Sequence, residues 1–257
     1  MFPLKDNIPT DRFPVVTVAL IVLNVLGYFF FQHGTVTLGD PSSRDYLQNL
    51  FEYAYIPREL VDGVQCVPDQ TFSAVTCAKG VTGQPPVVLT IFAAMFMHGG
   101  LLHLGGNMLF LWIFGNNVED SMGPVRFVVF YLLGGLAATG LQTVIDTSSA
   151  VPNVGASGAI AAVLGGYLLL FPRARVITVI FIIFFFTIVE LPALVILGFW
   201  FVQQVLFGYF GLNSAGDGGG VAYFAHIGGF AFGLLAIRLF ASERRRRRQI
   251  ERVGGLT

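Results

Sequence analysis

Long apolar stretches separated by polar links are the feature that most limits how this chain can fold. Six of them run over residues 15–31, 101–115, 127–145, 157–171, 191–207 and 221–240. A helix crosses the hydrocarbon core of a bilayer with roughly 20 predominantly apolar residues. Only 12% of all residues are charged, about half the share in a soluble domain. The sequence therefore predicts an all-α polytopic membrane protein, a bundle of six transmembrane helices.

Basic residues at the ends of these stretches indicate their orientation. They are Lys5, Arg12, Arg126, Arg173, Arg175 and the arginine run 244–248. Such residues mark the cytoplasmic side of a membrane protein, and six spans place all of them there, together with both termini. Counting residues 176–189 as a seventh span would move the arginine run outside. That β-branched, aromatic segment is instead predicted to be extended at the interface, and span five to begin near Leu191 with Pro192 in its first turn.

The predicted organisation is a cytoplasmic N-terminal segment, 1–14, a six-span core, 15–241, and a basic cytoplasmic tail, 242–257. No cleavable signal peptide is expected, because the first apolar run is too long for one. We expect the basic tail to contact anionic lipid headgroups. Nucleic-acid binding is the less favoured alternative, so the predicted partners include membrane lipids and no nucleic acid.

A long extracytoplasmic loop, about 33–100, is predicted after span one. Its last part, 87–100, is apolar but interrupted by two glycines, and we expect a helix there that lies at the membrane interface. Cys66 and Cys77 both lie in this loop. In an oxidising compartment they could form a disulfide. Otherwise they are free thiols, since sequence alone does not fix the geometry that a disulfide needs.

Polar side chains within the spans are costly in lipid and are therefore functional candidates. Ser157 opens span four within GASGA, and His226 lies near the start of span six within AHIGGF. His103 and Asn107, in the motif HGGLLHLGGNM, are spaced i, i+4 and so share one face of span two. In the predicted topology these spans all enter from the outer side, which brings the four side chains to a similar depth.

These side chains suit acyl-transfer chemistry. A serine hydroxyl becomes a nucleophile when a base lies within hydrogen-bond reach, and His226 can be that base. His103, Asn107 and the Ser157 N–H can donate hydrogen bonds to a developing oxyanion. No Asp or Glu lies in spans two, four or six, so the sequence predicts a Ser–His dyad without a third, acidic member.

Small residues surround the serine and recur along spans four and six. Gly155 and Gly158 would let backbone and substrate approach Ser157 closely. Small residues at four-residue spacing also allow two helices to pack closely enough for a serine–histidine contact. The two stripes are Ser157, Ala161 and Gly165 in span four, and Ala225, Gly229 and Gly233 in span six.

Taken singly, these residues also have structural interpretations. Ser157 can be a packing residue and His226 a pore or packing residue, while His103 and Asn107 can form a hydrogen-bonded pair between helices. His98 and His103 are five residues apart, off the four-residue spacing of metal ligands on one helical face, so we expect no metal and no cofactor. A small transporter or channel would usually have an internal repeat or charges within the membrane, and neither is seen.

Together the motifs resemble those of the rhomboid intramembrane serine proteases, in particular the bacterial members. HGGLLHLGGNM, GASGA and AHIGGF carry the resemblance, and GNNVEDSMG after span two and FPRAR after span four add to it. The resemblance implies that Ser157 is the nucleophile and His226 the general base. It implies that His103 and Asn107 stabilise the oxyanion and that His98 has a structural or water-organising role.

The resemblance also implies an activity and a location. Members are serine endopeptidases that hydrolyse peptide bonds of transmembrane-helix substrates near their extracytoplasmic end. Substrates are thought to enter past span five, where Phe199, Trp200 and Gln203 are candidate gate residues. The compact core is similar to that of bacterial members, which implies an integral protein of the bacterial plasma (inner) membrane. The oligomeric state is not indicated.

One position departs from some members, which carry a tyrosine one turn after the serine that stacks on the histidine. Here that residue is Ala161, and the sequence does not say what holds His226 instead. The alternative function is that of a non-catalytic rhomboid-like protein that binds or escorts transmembrane clients. Such members lack the serine or the span-six histidine, and this chain has both.

Overall fold

The computed structural model describes residues 2–36, 43–72, 74–81, 83–182, 185–213 and 221–254. Its helices are α1 (Val15–Leu26), α2 (Arg44–Tyr53), α3 (Pro57–Asp62), α4 (Val87–Ala94), α5 (Leu101–Phe110), α6 (Asn116–Met122), α7 (Pro124–Ile145), α8 (Ser157–Leu170), α9 (Ala193–Asn213), α10 (Tyr223–Phe240) and α11 (Glu243–Gly254). Two π-helical turns, Gly27–Phe31 and Leu111–Gly115, extend α1 and join α5 to α6. The strands are β1 (Phe2–Asp6), β2 (Gln65–Pro68), β3 (Val75–Ala78), β4 (Arg175–Ile182) and β5 (Phe185–Pro192).

Helices occupy all six stretches that the sequence analysis assigned to spans. Three are long and apolar enough to cross a membrane, namely Pro124–Ile145, Ala193–Leu212 and Tyr223–Phe240. Val15–Phe31 and Ser157–Leu170 are shorter apolar helices. A mainly helical membrane architecture is therefore confirmed, and the count of six crossings stays a prediction. The all-α assignment was wrong, because the described residues also form two small antiparallel sheets.

The larger sheet contains the described residues of the segment 176–189, which lie in β4 and β5. These strands pair antiparallel, with Phe181 opposite Phe186, and both of these aromatic side chains are exposed. Its β-branched and aromatic composition favours an extended conformation. β1 pairs with the other edge of β4, with Phe2 opposite Val179. Sequence analysis missed β1, because its partner strand lies far along the chain.

The start of span five differs from the prediction. Pro192 ends β5 and does not lie in the first turn of a helix. Helix α9 begins at Ala193, and the Ala193 N–H donates a hydrogen bond to the Ala174 carbonyl. The sheet pairing extends to Pro192, opposite Arg175. Helix α9 therefore begins about two residues later than predicted.

Helix α8 lies at the centre of the bundle, and all its residues from Gly158 to Tyr167 are buried. Its closest neighbours are α10 and α7. A methyl group on Gly229 of α10 would overlap the Gly158 carbonyl oxygen, and one on Gly233 would overlap the Ala162 carbonyl oxygen. The backbones of α8 and α10 are therefore in direct contact, as the spacing of small residues predicts.

Buried acids hold the N-terminal segment against the end of the bundle distant from Ser157. Asp6 accepts hydrogen bonds of 2.6 Å from the Asn117 Nδ2 and from the Tyr167 hydroxyl. Glu119 accepts from two backbone N–H groups at the start of α1 and from the Thr17 hydroxyl. It thus caps a helix whose own N-cap residue makes no side-chain hydrogen bond.

Asp6→Asn is expected to flatten the pH dependence of stability. Burial raises the pKa of the Asp6 carboxyl from 3.8 to about 6, against the lowering effect of the hydrogen bond from Tyr167. The folded state then binds the proton more tightly than the unfolded state. The resulting stabilisation, roughly 3 kcal/mol, is present below about pH 4 and is lost as the pH rises through 6. The neutral asparagine keeps an acceptor oxygen for the two hydrogen bonds.

Thermal unfolding in detergent from pH 4 to pH 8 tests this expectation. The wild-type melting temperature should fall relative to that of Asp6→Asn as the pH passes from 4 to 7. The control is Asp146→Asn at an exposed aspartate, which should follow the wild type. Parallel curves for the wild type and Asp6→Asn would contradict the assignment of the pH dependence to Asp6.

The segment predicted to be a long outer loop contains α2, α3 and α4 as well as the β2–β3 hairpin. Cys66 and Cys77 face each other in that hairpin and form a disulfide. The Glu59 carboxylate accepts a hydrogen bond of 2.8 Å from the Cys66 N–H and ties α3 to the hairpin. Tyr46 of α2 donates from its hydroxyl to the His98 carbonyl at 2.8 Å. The segment therefore packs against the N-terminal end of α5.

Candidate active site

Ser157 is the first residue of α8, and the turn before it depends on Gly155. Gly155 has a φ of 130°, a conformation that other residues rarely adopt. Its N–H donates a hydrogen bond of 2.9 Å to the carbonyl of Ala94, the last residue of α4. A methyl group on Gly155 would lie 2.9 Å from two atoms of the His103 ring and 3.4 Å from the Ser157 Oγ. The glycine therefore allows the imidazole and the serine to share one small space.

His226 approaches Ser157 from α10. Its Nε2 lies 2.7 Å from the Ser157 Oγ, and its Nδ1 lies 2.8 Å from the Gln204 Oε1 on α9. The Trp200 ring, one helical turn before Gln204, is 5.7 Å from the imidazole and tilted by 38°. Ala161, where some family members have a tyrosine, is fully buried. In this chain α9 thus supplies the groups around the far side of the histidine.

His103 and Asn107 face the same space from α5. The Nδ1 of His103 accepts a hydrogen bond of 3.2 Å from the Gly99 N–H. Nδ1 is therefore the unprotonated nitrogen of a neutral ring, and Nε2 carries the proton. Asn107 is 8% exposed, and its Nδ2 has no hydrogen-bond partner among the described residues. The site thus contains two N–H donors on one helical face.

His98 is fully buried, and its backbone is held on both sides. Its N–H donates to the Gln32 Oε1 at 2.8 Å, and its carbonyl accepts from the Gln32 Nε2 and from the Tyr46 hydroxyl. Its ring lies edge-on to His103 at 5.2 Å. These hydrogen bonds connect helix α2 and the residue after the first π-helical turn to the turn that precedes His103.

A cavity of about 730 Å³ opens onto these groups. Its lining includes Ser157, His226, His103, Asn107 and Trp200, together with Tyr46, Leu47 and Leu50 of α2. Of the three proposed gate residues in the described chain, only Trp200 lines it, and Phe199 is 52% exposed. Gly158 does not line it either and packs against Ala138 of α7. Gly158 therefore serves helix packing, whereas Gly155 leaves room for the His103 ring beside Ser157.

Sequence reasoning missed Gln204 and the three α2 residues. A polar residue within span five was a usable signal for Gln204, by the same rule that selected His226. Tyr46, Leu47 and Leu50 are spaced i, i+1, i+4 on a short helix, a pattern typical of one apolar face. Nothing in that spacing indicates which surface the face contacts.

Fold and site define a membrane-embedded helical bundle with a hydrogen-bonded serine and histidine at the wall of a cavity. A family model described as the Rhomboid domain matches residues 85–243, more than half of the chain. The chain therefore belongs to the rhomboid family.

Named relatives extend this finding. The chain is 30% identical over 177 residues to "Rhomboid protein 1, mitochondrial" of Saccharomyces cerevisiae, covering 65% of this chain and 46% of the relative. It is 29% identical over 154 residues to "Presenilin-associated rhomboid-like protein, mitochondrial" of Bos taurus, covering 58% and 36%. The matches thus span less than half the length of these relatives.

The relatives bear on the predicted location. An integral membrane protein is confirmed by the family and by the apolar helices. Both relatives carry mitochondrial names, so they do not support the bacterial plasma membrane. That location and the orientation of the termini stay predictions.

Proposed function

We propose that the chain is an intramembrane serine endopeptidase that hydrolyses peptide bonds of transmembrane-helix substrates. The observation that carries the proposal is the 2.7 Å contact between the His226 Nε2 and the Ser157 Oγ, beside an Asn107 Nδ2 that has no hydrogen-bond partner among the described residues. A nucleophile, a base and an oxyanion donor facing one cavity are the parts that acyl transfer requires. Family membership supports the same conclusion.

The proposed reaction begins with a substrate segment that has unwound, because a helix hides its carbonyl groups in backbone hydrogen bonds. The Ser157 Oγ attacks the scissile carbonyl carbon while the His226 Nε2 accepts the hydroxyl proton. The negative charge that develops on the carbonyl oxygen is stabilised by the Nε2–H of His103 and the Nδ2–H of Asn107. The backbone N–H of Ser157 adds a donor, since the first N–H groups of a helix have no intrahelical acceptor.

Collapse of the tetrahedral intermediate breaks the C–N bond. His226 donates its proton to the leaving amine, and an acyl ester remains on Ser157. A water molecule entering the cavity then attacks this ester with His226 again as base, which releases the acid and restores the serine. No cofactor is needed for these steps.

The proposed orientation places the cavity toward the side that contains the disulfide. Disulfides persist in oxidising compartments, and Cys66–Cys77 is on the α2–α4 segment that folds over the cavity. The basic residues at the span ends, including Arg12, Arg126 and the arginine run 244–248, lie at the opposite helix ends, as expected for the side that is not translocated. Three others, Arg44, Arg58 and Lys79, are in the α2–α4 segment. Six crossings, both termini on the basic side, and transmembrane proteins and lipids as partners are parts of this proposal.

Labelling with a fluorophosphonate tests the proposed function. Wild-type protein should form a covalent adduct on Ser157, located by peptide mass spectrometry. Ser157→Ala and His226→Ala should form none, while Ser148→Ala, at an exposed serine, should label as the wild type does. Folded wild-type protein that forms no adduct would contradict the proposal and favour a non-catalytic protein that binds transmembrane clients.

A further inference from the structure

The environment of His226 on the side away from Ser157 shows how the base is held. Gln204 is 7% exposed, and its Oε1 is 2.8 Å from the His226 Nδ1. The amide nitrogen, Nε2, donates to the Trp200 carbonyl one turn earlier on α9, at 3.4 Å. With its nitrogen engaged by its own helix, the Gln204 side chain presents only its oxygen to the imidazole.

This arrangement fixes where the histidine carries its proton. An amide oxygen can only accept a hydrogen bond, so the Nδ1 of His226 must be the donor. A neutral imidazole has one N–H, and its Nε2 then has a free lone pair. That lone pair faces the hydroxyl of Ser157 at 2.7 Å. The tautomer selected by Gln204 is thus the one in which His226 can act as a base.

We propose that Gln204 is the positioning residue for His226 and takes the place that an acid has in a serine–histidine–acid triad. This inference rests on the proposed function. When Nε2 accepts the serine proton, the ring becomes an imidazolium, and the hydrogen bond from Nδ1–H to Gln204 becomes charge-assisted and stronger. Gln204 therefore supports the proton transfer without adding a negative charge to the apolar interior.

The position of Gln204 on α9 makes the base depend on the docking of that helix. Phe201 of α9 stacks on Phe230 of α10 with ring centroids 4.5 Å apart, and the Trp200 ring lies against His226. On its other side α9 exposes large apolar side chains such as Val202 and Leu206. Movement of α9 away from α10 would withdraw the acceptor from the Nδ1 of His226. The dyad is therefore complete only while α9 is packed in place.

Gln204→Met tests the positioning role with little change in side-chain volume. The rate of fluorophosphonate labelling at Ser157 should fall about 10- to 100-fold, the range expected for one lost hydrogen bond to a developing charge. Gln70→Met, at an exposed glutamine just after β2, is the matched control. It should label within about twofold of the wild type. Gln204→Glu keeps an acceptor oxygen and should recover labelling to within about fivefold of the wild type.

A nitrogen NMR spectrum of histidine-labelled protein distinguishes positioning from a general structural effect. The signals of His226 are assigned by their loss in His226→Ala. In the wild type its proton should be on Nδ1, and in Gln204→Met a second population with the proton on Nε2 should appear. Phe201→Ala alone should slow labelling. Added to Gln204→Met, it should slow labelling little further, because both changes weaken the same contact between Gln204 and His226.

The outcomes separate this inference from the function on which it rests. If the wild type forms no Ser157 adduct, the proposed function fails. If the wild type is labelled and Gln204→Met is labelled equally fast with an unchanged tautomer, the proposed function stands and the role of Gln204 is wrong. The role of Gln204 would also be wrong if Gln204→Met were labelled more slowly with an unchanged tautomer and Gln204→Glu did not recover the labelling rate.

Discussion

Ser157→Ala and His226→Ala are each expected to reduce cleavage of a transmembrane substrate by about 10³-fold or more. The first change removes the attacking oxygen, and the second removes the group that accepts its proton at 2.7 Å. The measurement is single-turnover cleavage of a helical substrate co-reconstituted with the protein in lipid vesicles. Substrate and product are separated on gels.

The double variant gives the sharper result. Nucleophile and base act as one unit, so Ser157→Ala with His226→Ala should be no slower than either single variant. The matched control is His33→Ala, at an exposed histidine in the segment after α1, which should keep wild-type cleavage. Cleavage by folded Ser157→Ala protein at more than a few per cent of the wild-type rate would exclude the mechanism.

Gly229→Ala is expected to destabilise the bundle and to impair the site with the addition of one methyl group. That group would overlap the Gly158 carbonyl oxygen and lie 3.3 Å from the Ala161 Cβ. Backbone atoms cannot rotate away as a side chain can, so α8 and α10 must separate. Overpacking of this kind costs about 1–3 kcal/mol or more. The same separation lengthens the Ser157–His226 contact, so both the melting temperature and the labelling rate should fall.

Gly140→Ala is the matched control on α7. Gly140 is exposed, and a methyl group there would meet no atom of the described residues within 4 Å. Alanine is the better helix former by about 1 kcal/mol, so this variant should be as stable as the wild type or slightly more stable. If both variants melted at the wild-type temperature, direct contact between the α8 and α10 backbones would be refuted.

Much of the helical framework could be predicted from the sequence because lipid imposes a local rule. A segment long and apolar enough to cross a membrane must satisfy its backbone hydrogen bonds within itself, which favours a helix. Residues 127–145 and 221–240 are therefore correctly predicted as helices to within a few residues. The strands were harder to place, since β1 and β4 depend on pairing with each other.

The candidate site was partly predictable for a similar reason. A serine and a histidine in apolar helices attract attention because such groups are costly in lipid, and this selected Ser157 and His226. Gln204 satisfies the same criterion. It was overlooked because the sequence does not show which of the adjacent amides, Gln203 or Gln204, faces His226.

The sequence by itself determined which segments are apolar enough to form the helical framework, where small side chains recur, and which polar groups must find partners, because each of these follows from local composition and period. Only the tertiary structure decided which nitrogen of His226 faces Ser157 and that α9 supplies its acceptor. It also assigned the two glycines to different tasks, one beside His103 and the other against α7. Those outcomes depend on distances of a few ångströms between separate helices, which are set by packing and not by the order of residues along any one of them.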